Sequence, residues 1–118
     1  ESFHWVIENA EGVPVGTIDT HHCDLRNGTF SYGLDIAPEH RRKGYAREAI
    51  RMVLKYYFEE LRYQKVTVSV HSDNAPSRKL HESLGFQLEG THRRMIYTQG
   101  GYVDEVWYGM TVEEFQEQ

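Results

Sequence analysis

The stretch APEHRRKGYAREAI, residues 37–50, joins a strand-like segment to an amphipathic helix and decides the fold of this chain. It places four basic residues, 40–43, directly before Gly44, in a protein whose formal net charge is −5. Adjacent cations repel one another, so they belong either on a solvated surface or opposite an anion. The first-turn amides of a helix lack internal acceptors and carry partial positive charge, which suits an anion.

Two interpretations of this segment stay open on spacing alone. In the first, Gly44 and Ala46 let the backbone approach a phosphate closely, while Arg41, Arg42 and Lys43 supply counter-charge. In the second, the segment is a solvated basic turn followed by a helix-starting glycine. The chain has neither a GxxxxGK[ST] loop nor a GxGxxG fingerprint, which disfavours nucleoside triphosphates and dinucleotides as ligands.

The composition predicts one globular domain, 1–118, because 118 residues with 39% hydrophobic and 26% charged residues suffice for a single core. Cys23 is the only cysteine, which excludes an internal disulfide and favours a reducing, cytoplasmic location. No apolar run approaches the ~20 residues of a membrane span. The acidic balance argues against nucleic acid, so neither nucleic acid nor a membrane is an expected partner.

Periodicity predicts the order strands, helix, strand, helix, strands, which is typical of an α+β fold with a mixed, mainly antiparallel sheet. Segments with strand-like alternation are 2–9, 15–22, 29–36, 65–70, 87–98 and 102–110. An apolar stripe at helical spacing runs from Ala46 to Leu61. A shorter helix is predicted within 71–86, with Asp73 or Asn74 as its cap and Gly85 as its stop.

The order of these motifs resembles the GNAT superfamily of acetyl-coenzyme A-dependent N-acetyltransferases. RRKGYA at 41–46 fits that superfamily's Q/R-x-x-G-x-G/A signature. DNAPSRKLHESLGF at 73–86 resembles its second motif, in the N-x-x-S…G-F form of the ribosomal-protein alanine/serine N-acetyltransferase (RimJ/RimL-like) branch. GFQLEGTHRRMIYTQGGYVDEVWYGM at 85–110 is similar to the closing hairpin of that branch. The resemblance extends over 30–110 and rests on the ordered combination.

The resemblance implies a GNAT-like sheet with helices on both faces, in which the strands 29–36 and 65–70 splay apart around the pantetheine arm of acetyl-CoA. The pyrophosphate would lie on the backbone amides of 42–46. Acetyl-CoA is thus the expected cosubstrate, and no metal is expected. The residues expected to contact it are Ile36, Ala37, Arg41, Arg42, Lys43, Gly44, Tyr45, Ala46, Asn74 and Ser77.

The implied reaction is direct attack of an amine on the acetyl thioester in a ternary complex. The backbone N–H of Ile36 is the expected oxyanion donor. Many relatives have a tyrosine acid at the position of His81, so Ser77 is the preferred donor to the leaving sulfur and His81 the second choice. A solvated helix-face position is nevertheless the preferred interpretation of His81. Asn74 is expected to contact the pantetheine amide or the acetyl group, with a plain helix N-cap as the alternative.

The general base is left open between the carboxylates of Asp35, Asp104 and Glu105 and removal of the proton through water. The tetrapeptide THHC at 20–23 is not expected to bind a metal, because adjacent strand residues point to opposite faces. Four aromatic side chains are expected to pack the closing hairpin: Tyr97, Tyr102, Trp107 and Tyr108.

Residue 1 is glutamate, and family members usually begin with a strand and helices that precede the segment 2–9. We therefore expect that the N-terminal elements are missing from this chain, with a genuinely minimal member of the family as the alternative. The expected acceptor is an amine-bearing small molecule, a polyamine or a protein N-terminus, and a homodimer is left open. A non-catalytic acetyl-CoA-binding or sensing module is the alternative function, and an unrelated α+β domain is the third.

Overall fold

The computed structural model describes residues 2–118 and shows an α+β chain with a six-stranded, mainly antiparallel sheet. Its strands are β1 (His4–Glu8), β2 (Pro14–Asp24), β3 (Thr29–Ile36), β4 (Lys65–His71), β5 (Gln87–Thr98) and β6 (Gly101–Thr111). Its α-helices are α1 (Tyr45–Lys55), α2 (Ala75–Ser83) and α3 (Val112–Gln116). The predicted fold class is confirmed. No helix within residues 2–118 is long and apolar enough to cross a membrane.

The chain divides into two compact units, the first ending at Val66 and the second beginning at Thr67. In the first unit the strand order is β1-β2-β3, and both pairs are antiparallel. In the second unit β6 lies between β4 and β5, and the β5–β6 pair is antiparallel. Each unit has its own buried side chains.

The core of the first unit forms because the apolar stripe of α1 continues into a short π-helical turn, Tyr56–Glu60. The stripe residues at 49, 50, 53, 54, 57 and 58 are all buried, as the helical spacing predicts. Tyr57 stacks on Phe30 with ring centroids 4.2 Å apart, and its hydroxyl lies 2.6 Å from Thr20 Oγ1. The predicted helix therefore spans the right residues, although its last turn is π rather than α.

The alternation of Val66, Val68 and Val70 predicts strand β4 correctly, since all three side chains are buried. The helix α2 begins at Asn74, whose Oδ1 accepts a hydrogen bond from the Ser77 N–H at 3.2 Å. Asn74 rather than Asp73 is therefore the cap. The β5–β6 turn has positive φ at both central residues, as a two-residue hairpin with the twist of its strands requires.

The closing hairpin departs from expectation in two ways. Tyr108 is fully buried and Trp107 half-buried, but Tyr97 and Tyr102 are exposed: their ring centroids lie 5.1 Å apart across the hairpin, and the Arg94 guanidinium lies 5.3 Å from the centroid of the Tyr102 ring. The expected aromatic packing on the hairpin is therefore partly on its exposed surface and not all in the core. In addition, the hairpin is followed by α3, which sequence reasoning missed although Thr111 and Glu114 form a capping box at its start.

Candidate active site

At the end of β3, the backbone N–H of Ile36, the expected oxyanion donor, points away from β2. The N–H of Ala37 donates to the Val15 carbonyl at 2.9 Å. Hydrogen-bonded and non-hydrogen-bonded residues alternate in an antiparallel pair, so Ile36, which faces Gly16, directs its N–H and C=O away from β2. The same carbonyl accepts a hydrogen bond from Arg41 Nε at 2.8 Å, in agreement with that direction.

The four basic residues of the 40–43 segment are not equivalent. Arg41 turns back onto the end of β3, where its Nη2 also lies 3.9 Å from Asp35 Oδ1. His40 is half-buried, and its Nδ1 atom is buried without a hydrogen-bond partner among the described residues. Arg42 and Lys43 are exposed, and the Arg41 side chain also keeps 57% of its surface exposed.

The backbone between β3 and α1 is shaped by two left-handed residues, Arg42 with φ of 65° and Gly44 with φ of 84°. A Cβ on Gly44 would meet no atom within 4 Å, so this position favours glycine for its φ and not for lack of space. Gly44 caps α1 and makes no side-chain cap hydrogen bond to its first turn. The amides of 45 and 46 lack an acceptor within the helix, which suits an external anion.

The start of α2 carries the two polar residues predicted from the second motif. Asn74 uses its Oδ1 as the helix cap, so any contact with a cosubstrate carbonyl falls to its Nδ2 donor. His81 Nδ1 lies 2.8 Å from the Ser77 carbonyl, which only accepts, so this nitrogen carries a hydrogen. The Ser77 hydroxyl oxygen lies 3.4 Å from the same nitrogen as a second, weaker acceptor. The hydrogen of the Ser77 hydroxyl is left for another acceptor.

The expectation that His81 is a solvated helix-face residue is wrong, because its side chain is only 3% exposed. It packs edge-on against Phe86 and parallel to Tyr108, with centroids 5.1 and 6.1 Å away. Burial lowers the pKa of His81, and its hydrogen bond to the Ser77 carbonyl opposes that shift only in part. The Nδ1 hydrogen of His81 is already donated to the Ser77 carbonyl, so this hydrogen is not available to a leaving sulfur.

Each of the carboxylates considered as a base has a structural partner. Asp35 lies beside Arg41 with its side chain 83% exposed. The Asp104 Oδ1 accepts a hydrogen bond from the Arg94 N–H at 2.8 Å, and Glu105 Oε1 lies 3.7 Å from His92 Nδ1. Within residues 2–118 no three His, Cys, Asp or Glu side chains gather closely enough to hold a metal ion.

Two further features were not predicted from the sequence. A largely apolar groove of about 510 Å³ lies in the first unit, lined in part by Phe3, Trp5, Tyr45, Glu48, Met52 and Tyr56. In the second unit, Arg78 of α2 binds the hydroxyl of Tyr108 on β6. Arg78 and Glu82 share one face of α2, at i and i+4, but this spacing does not point to Tyr108.

Residues 1–87 match the family described as the acetyltransferase (GNAT) domain. The chain belongs to the GNAT acetyltransferase family. It is 47% identical, over 98% of its length, to the SPbeta prophage-derived uncharacterized N-acetyltransferase YokL of Bacillus subtilis, and covers 66% of that protein. It is 30% identical, over 85% of its length, to the spermidine N(1)-acetyltransferase of Vibrio cholerae, and covers 58% of it. The chain thus spans about two thirds or less of these relatives.

Solved structures support the same assignment. A variant of the spermidine N-acetyltransferase SpeG from Vibrio cholerae superimposes with a TM-score of 0.91 at 25% identity, covering 99% of this chain and 70% of SpeG. A second structure, described as a probable acetyltransferase, gives a TM-score of 0.83 at 34% identity over 88% of this chain and 59% of that one. The GNAT fold expected from the sequence is confirmed.

Proposed function

We propose that residues 1–118 form a single GNAT domain that binds acetyl-CoA and transfers its acetyl group to a primary amine. The observation that carries this proposal is the left-handed loop before α1, with its exposed cations at 42 and 43 and the amides of 45 and 46, which lack an acceptor within the helix. A non-glycine residue in the left-handed region, such as Arg42, costs free energy and is typical of functional loops. In this proposal the anion is the pyrophosphate of coenzyme A.

The other proposed contacts of the cosubstrate are those that the family resemblance implies. The segment from Ile36 to Ala46 would bind the pyrophosphate and the adjoining pantetheine of acetyl-CoA, with the pyrophosphate on the backbone amides of 42–46. Asn74 Nδ2 would donate to a pantetheine carbonyl, because its Oδ1 is already used by the helix cap. Arg41 would act on the cosubstrate only indirectly, since its Nε donates a hydrogen bond to the Ile36 carbonyl.

The proposed chemistry is a direct acyl transfer. The amine lone pair forms the new C–N bond, the Ile36 N–H stabilises the oxyanion, and the C–S bond then breaks. Ser77 donates a hydrogen bond to the departing sulfur, whose pKa we take as similar to the ~8.5 of a cysteine thiol. The amine proton passes to water, because the candidate carboxylates Asp35, Asp104 and Glu105 each have a structural partner.

The acceptor is proposed as a protein N-terminus, a polyamine or another small amine, and the N-x-x-S form of the second motif favours the RimJ/RimL-like branch. Among the relatives are a putative ribosomal N-acetyltransferase, YdaF, and an L-amino acid N-acetyltransferase, AaaT. The acceptor classes differ in basicity: an α-amine titrates near ~7.7–8.0 and a lysine-type amine near ~10.4. The pH dependence of kcat/KM for each amine therefore separates them.

The proposal is tested by calorimetric titration of acetyl-CoA, coenzyme A and dephospho-coenzyme A, followed by thiol release with a panel of amines. Binding with turnover supports an enzyme. Binding without turnover on any amine supports the alternative, an acetyl-CoA-binding or sensing module, and no binding contradicts both. SpeG of Vibrio cholerae has been described as dodecameric, so the oligomeric state in solution, a homodimer included, belongs to the same experiment.

The role of Ser77 is tested by Ser77→Ala, which we expect to lower kcat about tenfold or more with little change in acetyl-CoA affinity. Ser83→Ala is the matched control, because Ser83 lies on the same helix and its hydroxyl donates to the Leu80 carbonyl at 2.8 Å. An unchanged kcat for Ser77→Ala at every pH would contradict the assigned donor. A loss of equal size in both variants would indicate a general effect on α2.

A further inference from the structure

Arg78 joins three elements of the second unit through one guanidinium group. It lies on α2 directly after Ser77, its Nε donates to the Tyr108 hydroxyl at 3.2 Å, and its Nη1 donates to the Ser72 carbonyl at 3.2 Å. Tyr108 belongs to β6, and Ser72 follows the last residue of β4. The planar guanidinium presents several donors in fixed directions, so it makes both bonds at once, which a lysine ammonium on a flexible stem does less well.

The contact with Ser72 completes the hydrogen bonding of the turn between β4 and α2. The Ser72 N–H donates to the Asp104 carbonyl at 2.9 Å, and its Oγ accepts from the Asp104 N–H at 3.0 Å. Arg78 supplies the donor for the remaining carbonyl. Asn74 is two residues further on, and its own N–H donates to the His71 carbonyl at 3.0 Å. The position of Asn74 therefore depends on how firmly this turn is held.

The contact with Tyr108 restricts rotation of α2 about its own axis. Tyr108 is fully buried, and its hydroxyl accepts from Arg78 and donates to Glu82 Oε2 at 2.7 Å. Arg78 and Glu82 are one helical turn apart and so lie on the same face of α2. Two bonds to one buried oxygen resist rotation of the helix, which would carry Ser77 away from its present direction.

We propose that Arg78 is a positioning residue that holds Asn74 and Ser77 in the geometry required for acetyl-CoA binding and transfer. The proposal rests on the proposed function, because the cosubstrate gives Asn74 and Ser77 their role. Both hydrogen-bond acceptors of Arg78 are uncharged, and the Glu82 carboxylate adds a charge interaction, so the direction of the two hydrogen bonds is what holds the turn. Arg78 acts through its neighbours and is not assigned a contact with the cosubstrate.

The experiment compares Arg78→Met, which removes both hydrogen-bond donors, with Arg78→Lys, which keeps the positive charge but not the planar guanidinium with its fixed donor directions. Arg93→Met is the matched control, since Arg93 is an exposed arginine on β5 of the same unit. We expect the Kd of acetyl-CoA to rise about tenfold in Arg78→Met and by a similar factor in Arg78→Lys, and to change less than about twofold in Arg93→Met. Near-native affinity of Arg78→Lys would overturn positioning in favour of a direct charge contact.

A double-mutant cycle separates positioning from a general loss of stability. If Arg78 acts through Asn74, Arg78→Met weakens acetyl-CoA binding less than about twofold further when Asn74→Ala is already present. Fully additive losses would overturn the proposal. Tyr108→Phe keeps the bond between Arg78 and Ser72, so we expect a smaller rise in Kd, about two- to threefold.

Amide hydrogen exchange in the unliganded protein gives a readout that needs no cosubstrate. We expect exchange at the Asn74 and Ser77 amides to be about tenfold faster in Arg78→Met and unchanged in Arg93→Met. Unchanged exchange in Arg78→Met would overturn the positioning role, whatever the affinity. Absence of acetyl-CoA binding by the unaltered chain would instead overturn the proposed function, while the exchange rates would still decide whether Arg78 orders this turn.

Discussion

Replacement of Gly44 by alanine tests the conformation of the proposed phosphate loop directly. Gly44 has φ of 84°, and a Cβ at this position would meet no atom within 4 Å. The change therefore introduces no steric clash with neighbours and isolates the backbone effect. The left-handed region costs an L-residue about 1–2 kcal/mol. The smaller entropy of the unfolded alanine chain returns about 0.4–1 kcal/mol.

The net expectation is that Gly44→Ala lowers the free energy of unfolding by about 1 kcal/mol. The sequence offers two matched controls. Gly12 also has a left-handed φ of 80° and open space, so Gly12→Ala should lose a similar amount. Gly90 has open space without a left-handed φ and lies inside β5, so Gly90→Ala should be neutral or gain about 0.5–1 kcal/mol.

Urea unfolding monitored by circular dichroism measures these differences as shifts of the midpoint at constant m-value. In the same samples, we expect only Gly44→Ala to weaken acetyl-CoA binding, because Gly12 lies in the turn between β1 and β2 and Gly90 lies inside β5, both outside the proposed phosphate loop. Equal stability of Gly44→Ala and the unaltered chain would refute the conformational argument. A loss of acetyl-CoA affinity in Gly12→Ala equal to that in Gly44→Ala would show that the effect is not specific to the loop.

Two further predictions concern stability. Burial lowers the pKa of His81, so the imidazole binds a proton more readily in the unfolded chain than in the folded one. The free energy of unfolding should therefore fall as the pH drops below ~6.5, by at most ~1.4 kcal/mol per pH unit. Urea unfolding at pH 7.5 and 5.5 should show a smaller loss of stability in His81→Gln than in the unaltered chain, and an equal loss in both proteins would contradict this. Thr111→Ala removes the capping box of α3 and should cost about 1 kcal/mol, whereas Thr111→Ser, which keeps the hydroxyl, should retain most of the stability in the same assay.

The sequence by itself determined the elements whose signals are local. The apolar stripe of α1 and the alternating valines of β4 depend on residues only a few positions apart, and both were predicted correctly; the cap of α2 was predicted as Asp73 or Asn74 and is Asn74. Gly44 belongs to the same class, because a left-handed turn before a helix favours glycine wherever it occurs. The family assignment also followed from ordered local motifs.

Tertiary structure alone decided the surroundings of the candidate site residues. Arg78 meets Tyr108, which is 30 positions away in the sequence, and no local period signals that contact. His81 faces the aromatic side chains of Phe86 and Tyr108, so it is buried although its residue type is usually exposed or half-buried. The physical reason is that periodicity and caps report a segment's own backbone and faces, whereas burial, pKa and hydrogen-bond partners depend on which distant strand each face packs against.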